Sequence, residues 1–176
     1  MNPNNFQTKL HRHIMDKQEI TSLATQLGAA LKGRGLMLAT AESCTGGGIS
    51  EAVTRIPGSS AWFDCAFVTY SYEAKSSMLG VHRDTLVDFG AVSEETARQM
   101  ADGAIARSRA QVAVAVTGIA GPEGGMPDKP VGTVWFAWKF PKKPVITEVC
   151  HFEGGREAIR YQTVVHALSK LLHNLA

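Results

Sequence analysis

The segment Gln111–Thr117 constrains the fold more than any other: between its ends it is valine and alanine alone, an unbroken apolar run of strand length. A strand with no polar side has no face to turn to water, so both faces must be covered, which places it at the centre of a sheet. The rest of the chain supplies matching pieces. From an N-cap at Asp16, Ile20, Leu23, Leu27 and Leu31 recur at helical spacing until Gly33 and Gly35 stop the pattern. Met37–Glu42 reads as a buried strand, residues 45–55 as a helix and Pro57–Ser60 as a turn. A second strand over Cys65–Tyr70 precedes helices over Ser71–Leu79, His82–Phe89 and Ser93–Ala106. The last of these opens on an N-cap serine with two glutamates in its first turn, and gathers Ala97, Met100, Ala101, Ala104 and Ile105 on one face.

Beyond the central strand, Gly118–Pro130 carries four glycines and three prolines in thirteen residues and cannot be regular structure. Val131–Trp138 and Val145–Phe152 predict a hairpin joined through Pro141–Pro144, and a closing helix over Arg156–Leu172 buries Ile159, Val164, Leu168 and Leu171. Strands alternating with helices predict an α/β fold, a three-layer α/β/α sandwich on a mixed, mostly parallel sheet. Residues 1–15 are polar and aperiodic and read as a flexible leader, His11 and His13 included, with 16–176 a single domain.

Charge and cysteine usage narrow the function classes. A formal charge of +2, with the densest basic cluster only Lys139, Lys142 and Lys143, gives no nucleic-acid surface. No apolar run reaches the ~20 residues of a membrane span and no secretory signal opens the chain, so it reads as cytoplasmic. Three widely spaced cysteines, Cys44, Cys65 and Cys150, disfavour both a disulfide framework and a zinc site. Asp64, Glu73 and Asp128 have no metal-ligand spacing either, so neither metal nor cofactor is implied. Trp62 and Phe63, in a turn region, are expected to form a self-association patch and hence a homodimer.

Ligands of such sheets collect beyond the carboxyl ends of the strands. Three loops converge there. After Glu42 come Ser43 and a glycine-rich helix start, the layout of a nucleophile beside orphan backbone N–H groups that can cradle a phosphate or an oxyanion. After the second strand come Tyr70 and Lys75, and after Thr117 more glycine backbone. The backbones of Cys44, Thr45, Gly46 and Gly47 and of Gly118, Ala120 and Gly121 are thus candidate substrate-binding groups. Arg156, with Arg160, is a candidate to meet a phosphate from the last helix.

Six ordered segments over about three quarters of the chain carry a resemblance: Ala41–Gly47, Gly58–Phe63, Val68–Ser71 with Glu73–Lys75, Gly90–Ser93, Thr117–Pro122 and Lys129–Val134. Together they resemble the CinA C-terminal domain family, whose standalone members hydrolyse the carboxamide of nicotinamide mononucleotide to nicotinic acid mononucleotide and ammonia. The resemblance implies a small-molecule nucleotide substrate and a catalytic serine, tyrosine and lysine matching Ser43, Tyr70 and Lys75. It departs at Tyr72, where many relatives carry asparagine.

The chemistry of the residues agrees. Amide hydrolysis by serine needs a base for the hydroxyl, donors for the oxyanion and an acid for the leaving amine. None of the three loops holds a histidine, since His82 reads as a helix start and His151 and His166 lie on the final strand and helix. Lys75 is therefore the base, provided burial or a neighbouring positive charge lowers its pKa from about 10.4. Tyr70 either relays a proton or positions the amine. Cys44, with no histidine neighbour, reads as buried and inert beside Ser43. Two other readings share these residues: a nucleotide-binding regulatory module without turnover, and a Ser-Lys peptidase or general amidase.

Overall fold

A computed structural model describes the backbone of residues 3–175 and the side chains of residues 17–175. The side chains of the expected leader, residues 1–15, lie outside the described residues. The chain runs α1 (Pro3–Gly33), β1 (Leu38–Glu42), α2 (Gly48–Thr54), a 3-10 turn (Ser59–Ala61), β2 (Phe63–Val68), α3 (Tyr72–Leu79), α4 (Arg83–Asp88), α5 (Glu94–Ala106), β3 (Val112–Gly118), β4 (Thr133–Lys139), β5 (Ile146–His151) and α6 (Arg156–Leu175). Asp16 is thus inside α1 and not at its N-cap. Tyr70 falls beyond the end of β2, and α2 begins three residues later than its composition suggests, because Gly46 and Gly47 take positive φ values of 58° and 95° and hold the chain in a turn.

The sheet order is β2-β1-β3-β4-β5. β1 pairs in parallel with β2 and β3, whereas β3–β4 and β4–β5 are antiparallel. Four of the five strands therefore point the same way and β4 alone is reversed, as a mixed, mostly parallel sheet requires. The expected hairpin is β4–β5.

Alternation along β3 decides how the layers pack. Val112, Val114 and Val116 join Leu38, Phe136 and Trp138 under α1, α2 and α6, where Leu27, Leu31, Ile49, Leu168 and Leu171 complete one core. On the opposite face the fully buried apolar strand residues are alanines, Ala39, Ala41, Ala113, Ala115 and Ala137, packed against Ala97, Met100, Ala101 and Ala104 of α5. Small residues also set the contact between α5 and α3, because a Cβ on Gly103 would stand 2.0 Å from the carbonyl oxygen of Leu79. Both faces of β3 are buried as its composition demands.

One expectation about the surface fails. Trp62 is 3% exposed, and its ring lies where a Cβ on Gly28 of α1 would come within 2.7 Å. Phe63 is partly buried against the same core, so the exposed Trp62–Phe63 pair expected in this turn is not formed. A glycine in α1 makes the room, which a reading of the turn alone does not reveal. Among the described residues no helix is long and apolar enough to cross a membrane.

Candidate active site

Register brings the three loops together. Glu42 of β1 stands level with Val68 of β2 and Val116 of β3, so the carboxyl ends of the parallel strands close at one edge. Ser43 is held there by its N–H, which donates to the Val116 carbonyl at 3.0 Å. A cleft of about 200 Å³ opens above it, lined by Ser43, Cys44, Tyr70, Lys75, Ala91, Val92, Thr117, Gly118, Ala120 and Arg156.

Lys75 reaches this floor from beneath. The Ser71 hydroxyl caps α3 by accepting the Ala74 N–H at 3.0 Å, which fixes the helix start and puts Lys75 one turn in. Its side chain is fully buried, with Nζ 2.9 Å from Ser43 Oγ and 2.8 Å from the Thr69 carbonyl oxygen. Burial pulls the amine down to about 8 from 10.5, with a small opposing pull from Cys44. No carboxylate hydrogen-bonds to it among the described residues. The same burial pushes the Cys44 thiol up to about 12, so beside Ser43 it stays a protonated, inert group.

Glu42 is the residue that sequence reasoning misses. It is fully buried, and its carboxylate accepts from the hydroxyls of Thr40 at 3.0 Å and Thr45 at 2.7 Å and from the backbone N–H groups of Ile49 at 2.9 Å and Ser50 at 2.8 Å. Those two N–H groups belong to the first turn of α2, so the chain's own carboxylate fills the helix N-terminus that was expected to cradle an external anion. Three backbone donors remain. The N–H groups of Cys44, Thr45 and Gly47 donate to no other residue among those described. A signal was present in the sequence: a glutamate closing an otherwise apolar strand must find donors when buried.

The remaining expected residues divide into two groups. Gly118, Ala120 and Arg156 line the cleft with Ser43, Cys44, Tyr70 and Lys75, whereas Thr45, Gly46, Gly47 and Gly121 are not part of its lining. Gly46 and Gly47 form the turn that aims Ser43, and the Thr45 carbonyl accepts from Arg160 Nη2 at 2.7 Å. Arg160 therefore braces the loop from outside the cleft. Arg156 Nη1 donates to the Gly121 carbonyl at 2.9 Å and its Nη2 lies 3.2 Å from the Tyr70 hydroxyl oxygen. Tyr70, 64% exposed, is thereby tied to Arg156 and makes no hydrogen bond to Ser43 or Lys75. Opposite, Thr117 Oγ1 donates to the Ala91 carbonyl at 2.6 Å, and the Tyr72 hydroxyl accepts the Ala91 N–H at 3.2 Å. The Tyr72 phenol thus ties the start of α3 to the opposite cleft wall.

The strand-end serine and the buried lysine beside it thus sit at one end of a five-stranded mixed sheet flanked by helices. The description of the CinA C-terminal domain matches residues 20–175, and the chain belongs to that family. Nicotinamide-nucleotide amidohydrolase PncC of Pseudomonas putida is 54% identical over 153 residues, which span 87% of this chain and 95% of that protein. PncC of Escherichia coli K12 is 50% identical over 157 residues, 89% of this chain and 95% of its own. Among solved structures, the competence/damage inducible protein CihA from Agrobacterium tumefaciens is 51% identical, with a TM-score of 0.85 over 88% of this chain and 94% of that one.

Proposed function

We propose that this chain is a nicotinamide-nucleotide amidohydrolase that cleaves the carboxamide of nicotinamide mononucleotide through Ser43 with Lys75 as base. The observation that carries the reading is the fully buried Lys75 amine 2.9 Å from Ser43 Oγ. An amine brought down to about 8 is partly neutral near physiological pH and takes the serine proton as Oγ attacks the carboxamide carbon. The negative charge that develops on the carboxamide oxygen is stabilised in this reading by the backbone N–H of Cys44, which lines the cleft and donates to no other described residue. Lys75 then returns the proton to the amide nitrogen, ammonia leaves, and an ester on Ser43 remains. Water, deprotonated by the same amine, hydrolyses that ester and restores the serine. The positive pyridinium of this substrate makes its carbonyl more electrophilic and favours the neutral lysine by repulsion. Relatives named for this activity align over nearly their whole length, which supports the choice of substrate.

The test is ammonia release by the purified chain from nicotinamide mononucleotide, the riboside, NAD and simple amides. The expected result is turnover of the mononucleotide with the highest kcat/KM. Binding of the mononucleotide with no ammonia released would replace this reading with a regulatory nucleotide-binding module.

A further inference from the structure

On the far side of the sheet edge, β5 and α6 bring three unlike ligand groups together. Glu148 and Cys150 are two residues apart on β5 and so share a face, and His166 meets them from α6. His166 Nε2 is 3.3 Å from Glu148 Oε1 and 3.6 Å from Cys150 Sγ, and Sγ is 3.8 Å from the same Oε1. Tetrahedral zinc with its usual bond lengths sets edges of about 3.3–3.5 Å for O···N, about 3.5–3.6 Å for S···N and about 3.5–3.7 Å for S···O. The first two distances fall within these ranges and the third, at 3.8 Å, exceeds its range by about 0.1 Å.

The geometry points to a zinc site made by Glu148 Oε1, Cys150 Sγ and His166 Nε2, with a water in the fourth position. One thiolate, one carboxylate and a neutral imidazole balance a divalent cation, the thiol releasing its proton on binding. The mix of sulfur, nitrogen and oxygen suits zinc and not magnesium or calcium, which take oxygen sets. Outer partners are in place. Lys170 Nζ donates to Glu148 Oε2 at 2.9 Å, so it holds the carboxylate by the oxygen that does not face Cys150 and His166. The His166 ring packs against Phe136 at 4.8 Å and Trp138 at 5.9 Å, which fixes its plane. The three residues are half-buried, so an ion has a route from solvent. The site is separate from the Ser43–Lys75 cleft and pins β5 to the helix whose first residue is Arg156.

Zinc alone is the probe. The full chain, freed of metal by chelator dialysis, is titrated with zinc against a chromophoric competitor and with cobalt(II) by absorption. One equivalent per chain and a thiolate-to-cobalt charge-transfer band are expected. Cys150→Ser should abolish the band and weaken zinc by more than about 100-fold, beyond the loss from removing an outer partner. His11→Ala with His13→Ala should leave both readouts unchanged. Circular dichroism checks each fold; if Cys150→Ser does not fold, Glu148→Gln and His166→Gln carry the zinc comparison. No stoichiometric zinc on the parent, unchanged affinity in the ligand variants, or loss on removing His11 and His13 would overturn the site.

Discussion

Oε1 of Glu42 accepts the backbone N–H of Ser50 at 2.8 Å, so the residue before the candidate nucleophile fills the N-terminus of the helix after it. Strand, serine turn and helix are thereby locked by a single buried side chain. Any anion that binds the cleft must use other donors, and Arg156 is the cationic side chain of the lining whose guanidinium is not buried.

Glu42→Gln keeps the shape of that lock and removes one of its two acceptor oxygens. Four donors then compete for one oxygen, and at least one is left buried and unpaired. A loss of about 1–3 kcal/mol in unfolding free energy is expected, read as a lower denaturant midpoint, together with a fall in kcat as Ser43 loses its fixed aim. Unchanged stability would remove Glu42 as the organiser of the loop.

Ser43→Ala should lower kcat by about 10⁴-fold or more while the mononucleotide still binds. Cys44→Ala should retain turnover, since the thiol is protonated and buried. Single-turnover ammonia release separates the two, and a reversal of these results would move the nucleophile to sulfur.

The pH profile of kcat/KM should rise about tenfold per unit below pH 8 and level off above it, because the base must be neutral. Lys75→Arg keeps a charge that never leaves and should lose about 10²–10⁴-fold in kcat. A flat profile between about pH 6 and 9 would exclude Lys75 as the titrating base.

The same residue links stability to pH. Lys75 is lowered to about 8 when folded and titrates near 10.5 when unfolded, so between these values the unfolded chain holds more protons. Stability relative to Lys75→Met should therefore increase through that window by about 3 kcal/mol, with the full penalty of the buried ammonium present below pH 8. Paired chemical denaturation curves at about pH 7 and about pH 10 measure it.

Arg156→Met should raise KM for the mononucleotide by about 10- to 100-fold and leave the riboside nearly unaffected, the loss of one charged contact to phosphate. Tyr70→Phe, which frees Nη2 of Arg156 without touching Lys75, should change KM more than kcat. Equal KM shifts for both substrates would take the phosphate away from Arg156.

Local sequence was enough for the layers. The valine and alanine run of β3, the helical spacing in α1 and α6 and the glycine-rich breaks determine element type, because burial periodicity and backbone freedom are properties of neighbours along the chain. The ordered motifs likewise carried Ser43, Tyr70 and Lys75 to one end of the sheet. Tertiary structure alone decided which of them touch. Lys75 lies 32 residues from Ser43 and Arg156 lies 86 from Tyr70, so only strand register and helix packing set those contacts, and they pair the tyrosine with the arginine. Gly28 hides Trp62 in the same way. Glu42 looked like a strand end until its donors arrived from α2, and Cys150 had no ligand pattern until α6 laid His166 across it. Each of these is a contact between residues whose separation is fixed by the path of the backbone in space, a quantity that no window of neighbouring residues contains.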